Sequence, residues 1–354
     1  MTAAAGGDAL KLVFYFGEHD RHRGRFLSEA VLDRFERHRL AAGVLLRGVE
    51  GFGAHQRLQT DRLLSLSEDL PLVATAVDRP ERIEAVAAEL AGLAGKGLLT
   101  LERARLAGSD RRPEDEPHGE VKLTVYLGRG ARRGGMPAHV SVVAALHRHG
   151  VAGATALIGV DGAAAGRRLR ARFLSANSWV PALVVAVGRR ERIAAALREL
   201  ESEGDPALAT LEAVRVCRRD GTALALPPDP PPAFRGSSST DVVQEEPRTG
   251  PWTKLSVYCS ERSEHEGHPL YLELIRRLRA EGAAGATALR GVWGYHGDHA
   301  PHGDRLMALR RHVPVLTTLI DTPSRSERWF EIASELTAET GLLTAESVPR
   351  IFTL

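Results

Sequence analysis

One five-residue pattern occurs three times in this chain, and it limits the fold more than any other feature of the sequence. The copies KLVFY, KLTVY and KLSVY begin at Lys11, Lys122 and Lys254. The same offsets align three glycines without a gap, namely Gly48, Gly159 and Gly291. Later runs recur in the same order: PLVATAVD, PALVVAVG and PVLTTLID, then LLTLE, LATLE and LLTAE. This self-similarity indicates three tandem copies of one domain of roughly one hundred residues.

Each copy predicts the element order β-α-β-β-α-β. Helical periodicity covers residues 26–39 before the second strand, and residues 81–93, 191–203 and 327–339 before the fourth strands. This is the order of a ferredoxin-like α+β domain, an antiparallel sheet with both helices on one face. We therefore predict domains at residues 9–107, 121–217 and 253–352. A charged linker at 108–120 and a linker rich in proline and serine at 218–252 separate them.

The predicted strands are apolar on both faces. In the first strand Leu12 and Phe14 point one way while Val13 and Tyr15 point the other. A sheet with one wet face would alternate apolar and polar side chains instead. One face is covered by the helices of its own copy, so the other face needs a second cover. The sister copies can supply it, which predicts a monomeric chain folded as an intramolecular pseudo-trimer.

Composition and motifs argue against several classes of function. The 47 basic and 45 acidic side chains nearly balance, and no nucleic-acid-binding motif is present. No signal peptide and no apolar run of membrane-spanning length is found, so we expect a cytoplasmic protein without membrane insertion. No catalytic motif is found either, and we expect no enzyme activity. The two cysteines, Cys217 and Cys259, are too few for a thiolate metal site and are expected to be unpaired.

Several runs of the first copy resemble the Domain of Unknown Function 190 family of PII-like bacterial proteins. They are RGVEGFG at 47–53, LSEDLP at 66–71, VDRPERI at 77–83 and GLLTLE at 97–102, together with the turn that holds Glu18 and Asp20. The resemblance covers all three copies and implies a ferredoxin-like fold that forms trimers. It also implies a small effector, often an adenine nucleotide, bound between subunits. The loop between strands two and three would then signal to a transporter, a channel or an enzyme.

That loop holds the candidate effector-binding residues, which are glycines and arginines. Loops of about twenty residues in compact domains are usually functional or disordered. Glycines allow a phosphate to approach the backbone, and arginine forks suit phosphate or carboxylate. The glycines could instead only turn the chain, and the arginines could be solvated or pair between copies. The candidates are Arg47, Gly48, Gly51, Gly53, Arg62, Arg172, Arg290 and Arg305.

The third copy offers a different hypothesis, because its loop concentrates histidine and aspartate. Imidazole and carboxylate groups can bind a divalent metal, although the spacing fits no closed zinc motif. The candidate ligands are His296, Asp298, His299 and His302, and a solvated polar loop is the simpler interpretation. The alternative functions are therefore a metal or ion sensor and, because the second copy's loop is rich in alanine, a structural adaptor with degenerate clefts.

The lysine and the tyrosine of the repeated pattern recur in every copy. Ligand contact is one explanation. The simpler interpretation places the lysine as a charge at the strand end and the tyrosine as a half-buried packing residue with a wet hydroxyl.

Overall fold

The computed structural model describes residues 7–53, 56, 58–60, 69–93, 97–107, 119–169, 180–202, 208–224, 248–296, 301–303 and 313–353, with the backbone alone at 248–251 and 302–303. The described part is a mixed α+β structure with six helices and a 20-stranded antiparallel sheet. Three separate two-stranded hairpins complete it. The α+β prediction is confirmed.

The elements fall into three units of the same order. The first unit contains β1 (Asp8–Gly17), β2 (Arg21–His22), β3 (Arg25–Phe26), α1 (Leu27–Arg37), β4 (Ala42–Arg47), β5 (Glu50–Phe52), β6 (Gln59–Thr60), β7 (Pro71–Asp78), α2 (Pro80–Ala91) and β8 (Leu98–Leu106). The second contains β9 (Glu120–Gly128), β10 (Arg132–Arg133), β11 (Met136–Pro137), α3 (Ala138–Arg148), β12 (Gly153–Ile158), β13 (Asp161–Ala164), β14 (Arg167–Arg168), β15 (Pro181–Arg189), α4 (Arg190–Ser202), β16 (Leu208–Ala213), β17 (Arg215–Arg219) and β18 (Thr222–Ala223). The third contains β19 (Arg248–Ser260), β20 (Glu264–His265), β21 (His268–Pro269), α5 (Leu270–Ala280), β22 (Ala286–Arg290), β23 (Trp293–His296), β24 (His302–Gly303), β25 (Pro314–Asp321), α6 (Pro323–Leu336) and β26 (Leu342–Thr353).

Four long strands form the sheet of each unit, in the same lateral order. In the first unit the order is β8-β1-β7-β4. It is β16-β9-β15-β12 in the second unit and β26-β19-β25-β22 in the third. The first strand is therefore a central strand in every unit. Proline begins α2 and α6, where its missing N–H costs nothing because the first helical amides have no intrahelical partner.

The two faces of each sheet are buried in different places. Leu12 and Phe14 pack with α1 and α2 in a cluster that belongs largely to the first unit. Val13 lies instead in a central cluster to which all three units contribute, and Tyr15 packs against that cluster. Leu183 of the second unit joins the same centre. The apolar residues on both faces are thus covered, one face by helices and the other by the sister units.

A short hairpin after the second strand joins each unit to another. β5 of the first unit pairs with β22 of the third, β13 of the second pairs with β4 of the first, and β23 of the third pairs with β12 of the second. The order of these contacts is cyclic. A head-to-tail contact that closes on itself is what a ring of three equivalent units requires.

The fourth strands make a second set of pairings between units. The end of β8 pairs with the start of β16, β17 pairs with the start of β26, and the end of β26 pairs with the start of β8. These contacts run from the first unit to the second, from the second to the third and from the third to the first. The hairpin contacts run around the three units in the reverse order. β17 and β18 also continue the second unit as far as Ala223, inside the segment 218–252. Cys217 on β17 and Cys259 on β19 are unpaired and buried in one cluster, as expected.

Candidate functional site

Three lysines and three glutamates meet at the centre of the molecule, where the three sheets face one another. The lysines stand on the first strand of each unit and the glutamates on the fourth. Cross-strand pairing places each lysine directly beside the glutamate of its own unit: Lys11 opposite Glu102, Lys122 opposite Glu212, and Lys254 opposite Glu346. We call these six residues the axial ion ring.

Each lysine also reaches the glutamate of another unit, and this closes the ring. Within units, Nζ–Oε2 distances are 3.1 Å for Lys11–Glu102, 3.0 Å for Lys122–Glu212 and 3.1 Å for Lys254–Glu346. Between units they are 2.6 Å for Lys11–Glu212 and 2.5 Å for Lys254–Glu102, and Lys122 contacts Glu346. Six charges of alternating sign therefore form one closed circuit of ion pairs.

Burial contradicts the simpler interpretation of the repeated lysine and tyrosine. The three lysines are 4–7% exposed and are not solvated strand-end charges. Tyr126 and Tyr258 are buried as well, so a wet hydroxyl is wrong for these two. The physical reason is the same for both residue types. They lie on a central strand of each sheet, on the face that packs against the sister units, and there the glutamates of those units pair with the ammonium groups.

Burial and the neighbouring charges of the ring shift the pKa values of Glu102, Lys122 and Lys254. Burial alone would raise the pKa of Glu102, but Lys11, Lys254 and Lys122 outweigh burial and hold that pKa well below its usual value. Burial likewise opposes the charge of Lys122, yet Glu212, Glu346 and Glu102 hold its pKa well above the usual value. Burial prevails at Lys254 and lowers its pKa.

These shifts predict how stability depends on pH. The pKa values of Glu102 and Glu212 are lowered by folding, so their contribution is complete above the unfolded value near 4.5 and is lost as pH falls through the native values. Over that window the protonation of each carboxyl lowers the free energy of unfolding by about 1.4 kcal/mol per pH unit. Urea denaturation at pH 5, 4 and 3 should therefore show a steeper loss for the wild type than for Glu212→Gln. Parallel profiles would contradict a charged native Glu212.

The three carboxylates also deserve consideration as metal ligands, since their oxygens lie within 4.8 Å of one another. The ammonium groups of the lysines, however, lie between every adjacent pair of carboxylates. A metal ion would have to displace buried cations that already neutralise the acids. The donor set therefore fits an ion-pair ring better than a metal centre.

A second set of features surrounds the hairpins, where the glycines of the candidate loop are placed. A side chain on Gly51 would lie 2.8 Å from the backbone oxygen of Ala286 in the third unit. One on Gly48 would lie 2.6 Å from Cγ of Pro71, and the next residue, Val49, donates its amide to Ala288 O at 2.9 Å. These two glycines let one unit approach the backbone of the next. A side chain on Gly53 would meet nothing within 4 Å.

The candidate arginines beside these glycines pair within their own units. Nη2 of Arg47 lies 2.7 Å from Glu18, and Nη2 of Arg290 lies 2.7 Å from Glu261 at the equivalent position of the third unit. The second unit has Ile158 in place of this arginine. The three junctions are therefore not chemically equal.

The first helix of each unit faces the hairpin of another unit, and these helix faces differ in charge. α5 contacts β5, α1 contacts β13 and α3 contacts β23. Equivalent positions are Leu272, Arg276 and Arg279 on α5; Glu29, Asp33 and Glu36 on α1; and Val140, Ala144 and His147 on α3. We call the three spaces the α5, α1 and α3 clefts. The first has a basic helix face, the second an acidic one and the third a largely apolar one.

The α5 cleft is an open space of about 670 Å³. Its lining includes Glu50, Leu58, Leu272, Arg276 and Arg279. Two hydrogen bonds tie the hairpin to the third unit here. Gln56 Nε2 donates to Ala283 O at 2.6 Å, and Arg279 Nε donates to Gln56 O at 2.6 Å.

The other two clefts are occupied by side chains of the protein. In the α1 cleft Arg168 from the hairpin donates to Asp33 of α1 at 3.0 Å and to Asp161 at 2.9 Å. In the α3 cleft Tyr295 donates its hydroxyl to Val151 O at 2.9 Å, and its ring meets His147 edge-on at 4.8 Å. The hairpin side chains thus match the helix that they meet, a cation with acids in one case and aromatic with apolar surface in the other.

Several sequence candidates lie outside the described residues. These are Arg62, Arg172, Arg305, Asp298 and His299, together with the side chain of His302. His296 is described, and its Nδ1 lies 4.0 Å from Asp220. No helix in the described part of the chain is both long and apolar enough to cross a bilayer.

Known proteins resemble the chain one repeat at a time. The family model Domain of Unknown Function 190 (DUF190), described as Uncharacterized ACR, matches residues 9–106, 120–216 and 252–350. A UPF0166 protein of Aquifex aeolicus (strain VF5) is 32% identical over 99 residues, which is 28% of this chain and 91% of that relative. One repeat therefore corresponds to nearly the whole of the relative.

Proposed function

Since the chain belongs to the DUF190 family in each of its three repeats, we propose that it is a PII-like regulatory protein. In this proposal three ferredoxin-like units form an intramolecular pseudo-trimer. A small anionic effector, such as an adenine nucleotide, binds in a cleft between units. The bound state is passed to a partner such as a membrane transporter or channel, and the protein catalyses no reaction itself.

The strand pairings support the pseudo-trimer. Each unit has its first strand between its third and fourth strands, the lateral order of a ferredoxin-like sheet. The hairpin and fourth-strand pairings are both cyclic. The near-complete match of one repeat to the Aquifex aeolicus relative supports the idea that three such chains have become one.

The α5 cleft carries the effector part of the proposal. It combines about 670 Å³ of space with two arginine side chains in its lining, Arg279 and Arg276. Arg276 already pairs with Glu273 through hydrogen bonds of 2.6 and 2.7 Å, so an anion would share this arginine with that carboxylate. Guanidinium groups bind phosphate and carboxylate through paired hydrogen bonds. Leu58 and Leu272 supply apolar surface for a base, and the Glu50 carboxylate can accept a hydrogen bond from a sugar hydroxyl.

A route from this cleft to a partner begins at Gln56. Its carbonyl accepts the Arg279 hydrogen bond, and it lies on the connection that leads from β5 toward β7. An anion that draws Arg279 away would change the contacts that hold this connection. The effector would then shift the population of loop conformations that fits the partner.

Calorimetric titration tests the proposal with ATP, ADP, AMP and cyclic AMP, each with and without magnesium. We expect one of them to bind the wild type, and Arg276→Ala with Arg279→Ala to weaken binding at least about tenfold through lost charged hydrogen bonds. Arg198→Ala is the matched control, because Arg198 is an exposed helical arginine of α4 away from the clefts. The absence of binding by all four nucleotides would refute the nucleotide version of the proposal.

A further inference from the structure

A chamber of about 80 Å³ lies at the centre of the three sheets, next to the axial ion ring. Equivalent positions of the three units supply most of its wall, so the chamber follows the axis of the pseudo-trimer. Lys11, Lys122 and Lys254 line it, while none of the three glutamates of the ring does. Among the described residues of the wall, these ammonium groups are the only fully charged ones.

The ring leaves hydrogen-bond donors on the lysines that its carboxylates do not use. An ammonium group carries three N–H donors. Each lysine of the ring contacts two glutamates, which accounts for two of these donors. One donor per lysine remains, and the lysines are the part of the ring that borders the chamber.

Hydroxyl groups in the wall add further donors. Thr75 is 5% exposed, and its Oγ1 has no hydrogen-bond partner in the part of the chain that the structure describes. Ser256 and Tyr126 also line the space. Burial raises the pKa of Tyr126 to about 12, so its hydroxyl keeps its proton at neutral pH. A buried donor without an acceptor costs free energy, which favours an occupant that accepts hydrogen bonds.

The charge and the size of the chamber narrow the choice of occupant. The six charges of the axial ion ring balance, but the wall contains its lysines and not its glutamates, so a cation would meet three like charges at the wall. A nucleotide is far too large, because a space of about 80 Å³ holds only roughly five to eight water molecules at roughly 10–15 Å³ each on this scale of volume. A halide or nitrate fits there together with water. We propose that the axial chamber is a binding site for a small monovalent inorganic anion, of the size of a halide or nitrate. The anion accepts hydrogen bonds from the lysine ammonium groups and from the hydroxyls of the wall.

Bromide is the probe that tests this site, because its anomalous scattering locates it in crystals of the full chain. We expect one bromide peak on the axis, within hydrogen-bond distance of the lysines. In solution, bromide should raise the melting midpoint in a saturable way over sodium gluconate at equal ionic strength, since gluconate is too large to enter. Thr75→Val keeps the side-chain shape but removes the hydroxyl. It should raise about tenfold the bromide concentration that gives half of the full rise in the melting midpoint.

Ser256→Leu fills the chamber and should abolish both the peak and the rise in the midpoint. Ser202→Leu, at an exposed position of α4, should change neither. A chamber with water density only, bromide peaks confined to the surface, or an equal bromide effect in the wild type and Ser256→Leu would each overturn the proposal. Nucleotide titrations report on the α5 cleft and do not affect this test.

Discussion

Lys122→Met is expected to lower the free energy of unfolding by about 3–5 kcal/mol, because it leaves the three buried carboxylates of the ring with only two ammonium groups to balance them. Lys122 lies 3.0 Å from Glu212 and also contacts Glu346, and all three side chains are at most 5% exposed. Methionine fills much of the same volume, so the loss reports on charge more than on packing. Urea denaturation at pH 7 measures it.

Two controls separate the ring from ordinary ion pairs. Arg105→Met removes a partly exposed contact with Asp8 at 3.9 Å and should cost less than about 1 kcal/mol. Replacing all six residues of the axial ion ring by apolar residues of similar volume should restore much of the stability lost in Lys122→Met, because no buried charge is then left uncompensated. A cost below about 1 kcal/mol for Lys122→Met would show that the ring contributes little to folding.

Gly162→Ala should open the junction between the second and first units at a cost of about 3 kcal/mol. A methyl group on Gly162 would lie 2.5 Å from Gly43 O and 2.5 Å from Cγ of Pro181. Neither contact can be relieved by turning a flexible side chain, so β13 must separate from β4. Thermal denaturation measures the cost. The Val160 amide donates to Leu45 O at 2.8 Å across this junction, so faster hydrogen exchange there would show that the junction has opened.

Gly53→Ala is the matched control for that experiment. Gly53 follows the equivalent hairpin strand of the first unit, and a methyl group there meets nothing within 4 Å. We expect a change of less than about 0.5 kcal/mol. If the two substitutions have the same effect, close approach between units is not the reason for the glycine at position 162.

The repeated motifs predicted much of the fold because each copy carries the same local signals. Helical and strand periodicity gave the element order of each unit. Apolar residues on both faces, such as Leu12 and Val13, predicted a second cover for each sheet, and the central cluster supplies it. The direction in which the units meet could not be predicted, because every hairpin strand is short and each sister unit offers it the same backbone.

The sequence shows the lysines and the glutamates of the axial ion ring in two separate motifs, without the link between them. The lysine recurs in the first-strand motif and the glutamate recurs in the fourth-strand motif. Taken alone, a lysine near the start of a strand suggests a solvated charge. Lys11 and Glu212 are 201 residues apart, and only the closure of the units brings them together. The first and fourth strands are neighbours in every unit, and knowledge of this pairing was the signal that could have revealed the ion pairs.

The candidate site was predicted less well, because its chemistry depends on which helix meets which hairpin. Arg276 and Arg279 are ordinary exposed helical residues in the sequence, and only their position opposite β5 singles them out. The glycines drew attention to a segment that borders the α5 cleft. Whether Gly48 and Gly51 approach a phosphate or a neighbouring strand depends on the contact between units, where they meet Pro71 and Ala286.

The unequal helix faces also bear on a problem of assembly. Three linked units of similar shape can close into a ring in two senses, and the backbone contacts alone distinguish these senses poorly. The observed order of units places Arg168 opposite Asp33 and Tyr295 opposite His147. The reverse order would separate these partners. Divergence among the copies thus makes each hairpin specific for one helix. A chain with internal repeats can then fold into one order of units and avoid the alternative order.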